Sequence, residues 1–236
     1  MTRDAAPRCM PGMTFSIPIL AVLMTPQRRM RLMMLASQFG FAIVEDDYDH
    51  DYHFTNQPLL PLAAFDGEGY VIYVGSLSKL LSPSLRLGYI SAPKRLIGRV
   101  AREITLVDRQ GDPAMEPAIA EFIEAGDLHR HTRKMKRLYA DRRQALAEAL
   151  SQSFGDAADF TVPDGGLAFW VRFRDVPAGQ LLAQAHAHRV HFQAPDAFAS
   201  DGAAVDALRL GFASLDVAEL QEAAQRLKAA YDAVRI

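Results

Sequence analysis

Two patterns in the chain predict an α/β fold followed by an α+β one. Short uninterrupted apolar runs, Phe41-Ala42-Ile43-Val44 and Tyr70-Val71-Ile72-Tyr73-Val74, alternate with segments of helical period. Such runs predict a mostly parallel sheet covered on both faces. Beyond Gly155 the apolar segments become short strands interspersed with two helical periods, which predicts a smaller layer with its own core. The third observation is size. With 236 residues, half of them apolar and 23% charged, the chain can bury one generous core or two modest ones.

The elements follow in order. Residues 1–24 are interrupted by Pro7, Pro11 and Pro18 and show no amphipathic period, so they stay unassigned. Thr25-Pro26 reads as an N-cap with proline at the first helical position, and Gly40 closes that helix. Met30, Leu32, Met33, Met34 and Leu35 supply its apolar face. The strand from Phe41 stops in Glu45-Asp46-Asp47-Tyr48-Asp49, and a connection containing Pro58 and Pro61 leads to the strand from Tyr70. That strand runs into Gly75-Ser76-Leu77-Ser78-Lys79, a turn at Pro83 and a third strand from Leu87 to Ser91.

Helical pattern resumes at Lys94–Val107. Leu128, Thr132, Met135, Tyr139, Leu146 and Leu150 then recur at helical spacing. Strands are expected at Phe160–Val162, Leu167–Phe173 and Leu208–Phe212, and helices at Ala178–His188 and Val217–Val234. The division is an unassigned 1–24, a first domain over 25–127, and a linking helix with a small domain over 128–236.

Charge and cysteine content exclude several classes. Net charge is −2 from 26 basic and 28 acidic residues, so no global field points to nucleic acid or membrane. The single Cys9 forbids an intramolecular disulfide and a Cys-based zinc site and fits a cytoplasmic protein. The apolar stretch from Met13 to Met24 is too short to span a bilayer, which needs about 20 residues. The run Asp46 to His53 holds His50 and His53 but completes no ligand spacing, so no metal is expected. Seven Lys and Arg between His129 and Arg143 form a basic helix whose apolar stripe reads as an inter-domain strut. Direct nucleic-acid contact by this chain is therefore not expected.

The chemistry-bearing pair is Asp46 and Lys79. Each follows a buried strand, and in open α/β sheets ligands bind outside the carboxyl ends of the strands. A lysine there, in partly apolar surroundings, presents an amine able to attack carbonyls. Spacing alone favours a salt bridge or two solvated loop residues.

The local strings decide more. Glu45-Asp46-Asp47-Tyr48-Asp49, Gly75-Ser76-Leu77-Ser78-Lys79, Leu85-Arg86-Leu87-Gly88-Tyr89, the basic helix and Leu208-Arg209-Leu210-Gly211-Phe212-Ala213 together resemble fold-type I aminotransferases of class I/II. More narrowly, they are similar to the aminotransferase-like domain of MocR-type regulators of the GntR family. The resemblance covers residues 25–236.

It implies a pyridoxal 5'-phosphate (PLP) transferase fold, with a partial large domain and an α+β small C-terminal domain. It also implies roles. Lys79 forms a Schiff base with the cofactor, Asp46 keeps the pyridine nitrogen protonated, and Tyr48 donates to the ring's phenolic oxygen. Ser76, Ser78 and Arg86 hold the phosphate, and Arg209 clamps the substrate carboxylate. From the residues alone, Arg86 on a strand also pairs with Asp49 or Asp51, and Arg209 with an internal acid.

Members of that family begin with a winged helix-turn-helix and a full large domain, so the expectation is an N-terminally truncated member. The missing strands would leave a sheet edge and an apolar face exposed, and poor solubility or reliance on a partner follows. The implied function is transamination of an amino acid against a 2-oxo acid, in a homodimer. A ligand-sensing regulator domain without turnover is the alternative, and an inactive fragment the third.

Overall fold

The structure is a computed structural model and describes residues 24–47, 51–55, 60–198 and 205–235. The chain divides into two compact units. The first is carried mainly by residues up to Thr132, the second by Tyr52–Thr55 and the residues from Arg133 onward.

The first unit opens with α1, Pro26–Phe39. The Thr25 side chain accepts from Arg28 N, Pro26 occupies the first turn, and Gly40 ends the helix at φ 67°, a left-handed position that suits glycine. Leu32, Met33 and Ala36 pack with Ile43, Leu62 and Val71. Met30 and Met34, expected on that face, are 67% and 65% exposed, because the narrow stripe facing the sheet runs through 32, 33 and 36.

The sheet of this unit has the order β1 (Ile43–Asp47), β2 (Val71–Ser76), β3 (Gly88–Ser91). β1 and β2 are parallel, whereas β2 and β3 are antiparallel, so the expectation of a mostly parallel sheet holds for one pairing of two. The connection from Ser76 to Gly88 carries only a 3-10 turn, Pro83–Leu85. A parallel return needs a crossover of a dozen residues or more, usually a helix.

Cover on both faces is also corrected. β1 alternates buried and exposed, Val44 is 57% exposed, and all four residues of β3 are exposed. In α2, Lys94–Asp108, Leu106 and Val107 are 77% and 80% exposed.

Asp66 shapes the turn into β2. One carboxylate oxygen accepts from Gly69 N at 2.9 Å and Glu68 N at 3.3 Å, the other from Val71 N at 2.6 Å. Burial pushes this carboxyl up, but bonds from the Val71, Tyr70, Gly69 and Glu68 amides outweigh it and hold it below its ordinary 3.8. A carboxyl lowered on folding stabilises the fold above its unfolded value and loses that contribution as pH falls through the folded one. Asp66→Asn is therefore expected to cost about 1 kcal/mol at neutral pH, solvent screening included. The difference from wild type should shrink as pH falls below 3.8 and through the lowered folded value, where the Asp66 carboxyl also becomes neutral. Urea denaturation at the two pH values checks this.

Two further helices follow α2, α3 (Met115–Glu124) and α4 (Asp127–Phe154), separated by Gly126 at φ 74°. From Arg133, α4 belongs to the second unit, which also holds the antiparallel sheet β4 (Ala158–Phe160), β5 (Ala168–Phe173), β6 (Leu208–Gly211). α5 (Ala178–Ala187) and α6 (Val217–Val234) pack on each other, and Asp216 and Glu219 form a reciprocal cap at the start of α6.

Leu150, Phe169, Val171, Leu181, Leu208, Phe212 and Tyr231 are buried in this core. Tyr139 of α4 meets Tyr52 edge-on at 4.9 Å. Two of the basic residues of α4 have structural work: Arg142 donates to the Ala213 carbonyl, and Arg143 Nε donates to Pro163 O at 2.7 Å. Among the described residues no helix is long and apolar enough to cross a membrane.

Candidate functional site

β1 carries three consecutive acids, and strand alternation gives them different surroundings. Glu45 is 6% exposed. Its carboxylate accepts from Leu62 N at 2.7 Å and Ala63 N at 3.0 Å, capping the 3-10 turn Leu62–Phe65, and Arg29 lies 3.8 Å away. Asp47 accepts a hydrogen bond from the Tyr73 hydroxyl at 3.2 Å. Asp46 lies between them, opposite Val74 in β2, exposed and with no side-chain hydrogen bond or ion pair among the described residues. Two acids serve the fold, and the third stands available at the carboxyl end of the strand.

The loop after β2 is built around two buried leucines. Leu77 and Leu80 are 5% and 8% exposed, and Leu81 N donates to Leu77 O at 2.9 Å, closing a single helical turn. Lys79, inside that turn, is left exposed. The loop's neck is closed by register: Ser76 lies opposite Gly88, and Leu77 N donates to Leu87 O at 3.0 Å. Ser78 and Arg86 are the next positions outward from that closure. The Ser76 hydroxyl accepts from Ser78 N at 3.3 Å.

Arg86 takes a left-handed conformation, φ 50°, as the cap of the 3-10 turn. It is therefore not on a strand, as the strand pattern suggested. A non-glycine residue there costs on the order of 1 kcal/mol, so the position keeps an arginine against local preference.

The first unit thus brings Asp46, Ser76, Ser78, Lys79 and Arg86 to the carboxyl ends of two parallel strands. Asp46 lies within β1 rather than after it. Tyr48 and His50 lie outside the described residues. Arg209 is in the second unit, half-buried on β6 opposite Trp170. His53 belongs to that unit too, 9% exposed and bridged to Gly165.

Sequence reasoning missed Glu45, Asp47, Tyr73 and Tyr89. The signal for the first two was available in the alternation of a strand extended to Asp47. Chemically, the cluster offers a primary amine for a carbonyl, hydroxyls and a guanidinium for an oxyanion, and a carboxylate for a protonated nitrogen.

Comparison with known proteins gives this cluster its family. The family model for aminotransferase class I and II matches residues 33–227, which include β1, β2 and the Lys79 loop. The chain belongs to that family. Aromatic-amino-acid aminotransferase 1 of Thermococcus litoralis is 32% identical over 215 residues, covering 91% of this chain and 51% of that protein. The probable rhizopine catabolism regulatory protein MocR of Rhizobium meliloti is 29% identical over 213 residues, covering 90% and 43%. Relatives therefore include both aminotransferases and MocR regulators, as the motifs implied.

Among solved structures, Pyrococcus horikoshii kynurenine aminotransferase, in complex with PMP, matches with a TM-score of 0.84 at 27% identity, covering 91% of this chain and 54% of that one. The α-aminoadipate aminotransferase LysN of Thermus thermophilus, complexed with N-(5'-phosphopyridoxyl)-L-leucine, matches with a TM-score of 0.83 at 27% identity, covering 90% and 56%. The chain spans about half the length of the relatives it matches. Its fold is the PLP-dependent aminotransferase fold over that half.

Proposed function

We propose that the chain binds pyridoxal 5'-phosphate through Lys79 and carries aminotransferase-type chemistry on an amino acid and a 2-oxo acid. The observation that carries this reading is the pairing of Asp46, the one acid of β1 without a structural task, with the Lys79 loop at the ends of parallel strands. The donor set fits the group. Ser76, Ser78 and Arg86 flank one loop neck and suit a phosphate dianion, Arg86 supplying a planar fork. When bound, the cofactor supplies an aldehyde for a primary amine and a protonated ring that withdraws electrons from the substrate's α-carbon.

The residues have distinct tasks in this reading. Lys79 presents its amine from a turn whose backbone is fixed by the buried Leu77 and Leu80. Asp46 holds the proton on the ring nitrogen, Tyr48 donates to the phenolic oxygen, and Arg209 binds the substrate carboxylate. A homodimer is the expected assembly, and the exposed apolar residues of α2 are consistent with one.

The regulator relatives favour a second reading, an amino-acid-sensing domain that binds cofactor without turnover. The test is absorbance titration of the purified chain with pyridoxal phosphate, followed by assay for 2-oxo acid on adding amino acids. A saturable visible band with 2-oxo acid formation supports the enzyme, and the band alone supports the sensor. No band contradicts both. Asp46→Ala should retain some binding and lose at least about tenfold in turnover, because the ring nitrogen loses its partner. Undiminished turnover would refute that role.

A further inference from the structure

We infer that Tyr73 and Tyr89 are positioning residues of this site. Through Asp47 they pin the end of β1, so that Asp46 is the acid presented beside the Lys79 loop. The inference rests on the proposed function and adds to it a device that joins the ends of three strands.

The geometry is a chain of side chains across the sheet. Asp47 lies opposite Gly75 in the parallel register, and Gly75 lies opposite Tyr89 in the antiparallel one. Tyr73, two residues before Gly75, shares its face. The Tyr73 hydroxyl donates to Asp47 Oδ2 at 3.2 Å, and the two tyrosine rings lie 5.9 Å apart. Burial first, then the nearby Tyr89 hydroxyl and the Asp47 charge, hold the Tyr73 hydroxyl far above the ordinary phenol range, so it stays a donor.

Gly75 makes the crossing possible. A Cβ there would lie 2.3 Å from Tyr89 Cζ and 2.7 Å from its hydroxyl, so only glycine lets the ring pass. Tyr89 itself is 49% exposed, so its ring is placed there by this contact rather than by deep burial. Strand alternation does the rest. With Asp47 tied to the face of Tyr73, its neighbour Asp46 is directed to the opposite face, where Val74 and Ser76 of β2 also lie. Removing the Tyr73 bond would loosen the end of β1 and with it the orientation of Asp46.

The test uses the full 236-residue chain and 4'-deoxypyridoxine 5'-phosphate, a probe with the ring nitrogen and phosphate but no aldehyde, so Lys79 capture does not enter. Tyr73→Phe is expected to weaken probe binding about tenfold. If Tyr73 acts through Asp46, Tyr73→Phe and Asp46→Ala will not multiply when combined. A purely structural role would change thermal stability alone and leave the two effects multiplicative. Tyr89→Leu, which removes the ring packed beside Tyr73 at a half-exposed position, is the second variant should Tyr73→Phe fail to fold, with weaker binding again expected.

Wild-type affinity in these tyrosine variants, or full multiplication with Asp46→Ala, overturns the inference while the cofactor reading stands. A wild-type chain that binds neither probe nor pyridoxal phosphate overturns both.

Discussion

Lys79→Ala leaves the chain folded and unable to hold pyridoxal phosphate covalently. The turn that carries Lys79 is fixed by the buried Leu77 and Leu80 and by the Leu81 N to Leu77 O bond, all of which survive the substitution. Lys79 is exposed, so the expected cost in stability is within about 0.5 kcal/mol. The chemical cost is complete. Ser76, Ser78, Arg86 and Asp46 can still gather the phosphate and the ring, so weak non-covalent binding persists. Lys79→Arg should behave alike, because a guanidinium keeps the charge but stays protonated and offers no free amine. Absorbance of the bound cofactor and denaturation midpoints, read on the same samples, separate loss of chemistry from loss of fold. A visible band undiminished in either variant would contradict the assignment.

Glu45→Ala should be the most damaging substitution to the first unit. The buried carboxylate takes the Leu62 and Ala63 amides, and Arg29 stands beside it. Removing it strands two amides, each costing roughly 1–3 kcal/mol if left unpaired, so a loss of about 2–6 kcal/mol is expected. Glu45→Gln should fall between wild type and alanine, since its amide offers one acceptor oxygen where the carboxylate offers two. Guanidinium denaturation of the three proteins checks the order. A loss under about 0.5 kcal/mol for alanine would mean that the 3-10 turn holds without its cap.

How much of this was legible in the sequence differs by element. The ends of α1 were written locally, in Thr25-Pro26 and Gly40, and the bounds of α6 were read at both ends. β1 was cut short because Glu45-Asp46-Asp47 looks like a loop to any local rule. Glu45 and Asp47 stay in the strand because their partners, the Leu62 and Ala63 amides and the Tyr73 hydroxyl, come from residues 17 or more positions away. The same distance hid Tyr73 and Tyr89, whose pairing exists only through strand register.

The antiparallel β3 was a different kind of miss. Its apolar run resembles the other strands, and only the shortness of the connection after Ser76 argues against a crossover. Within the site, Asp46 and Lys79 were legible because their motifs are local strings. The order among Glu45, Asp46 and Asp47 was not derivable from composition; it needed the face on which each acid lies.

The central claim, that Lys79 is the covalent seat of the cofactor, has a direct measurement. The purified chain is mixed with pyridoxal phosphate, reduced with borohydride, digested and mapped by mass spectrometry. One pyridoxyl group per chain on the peptide containing Lys79 is the predicted result. Label scattered over surface lysines, or absent, would contradict it.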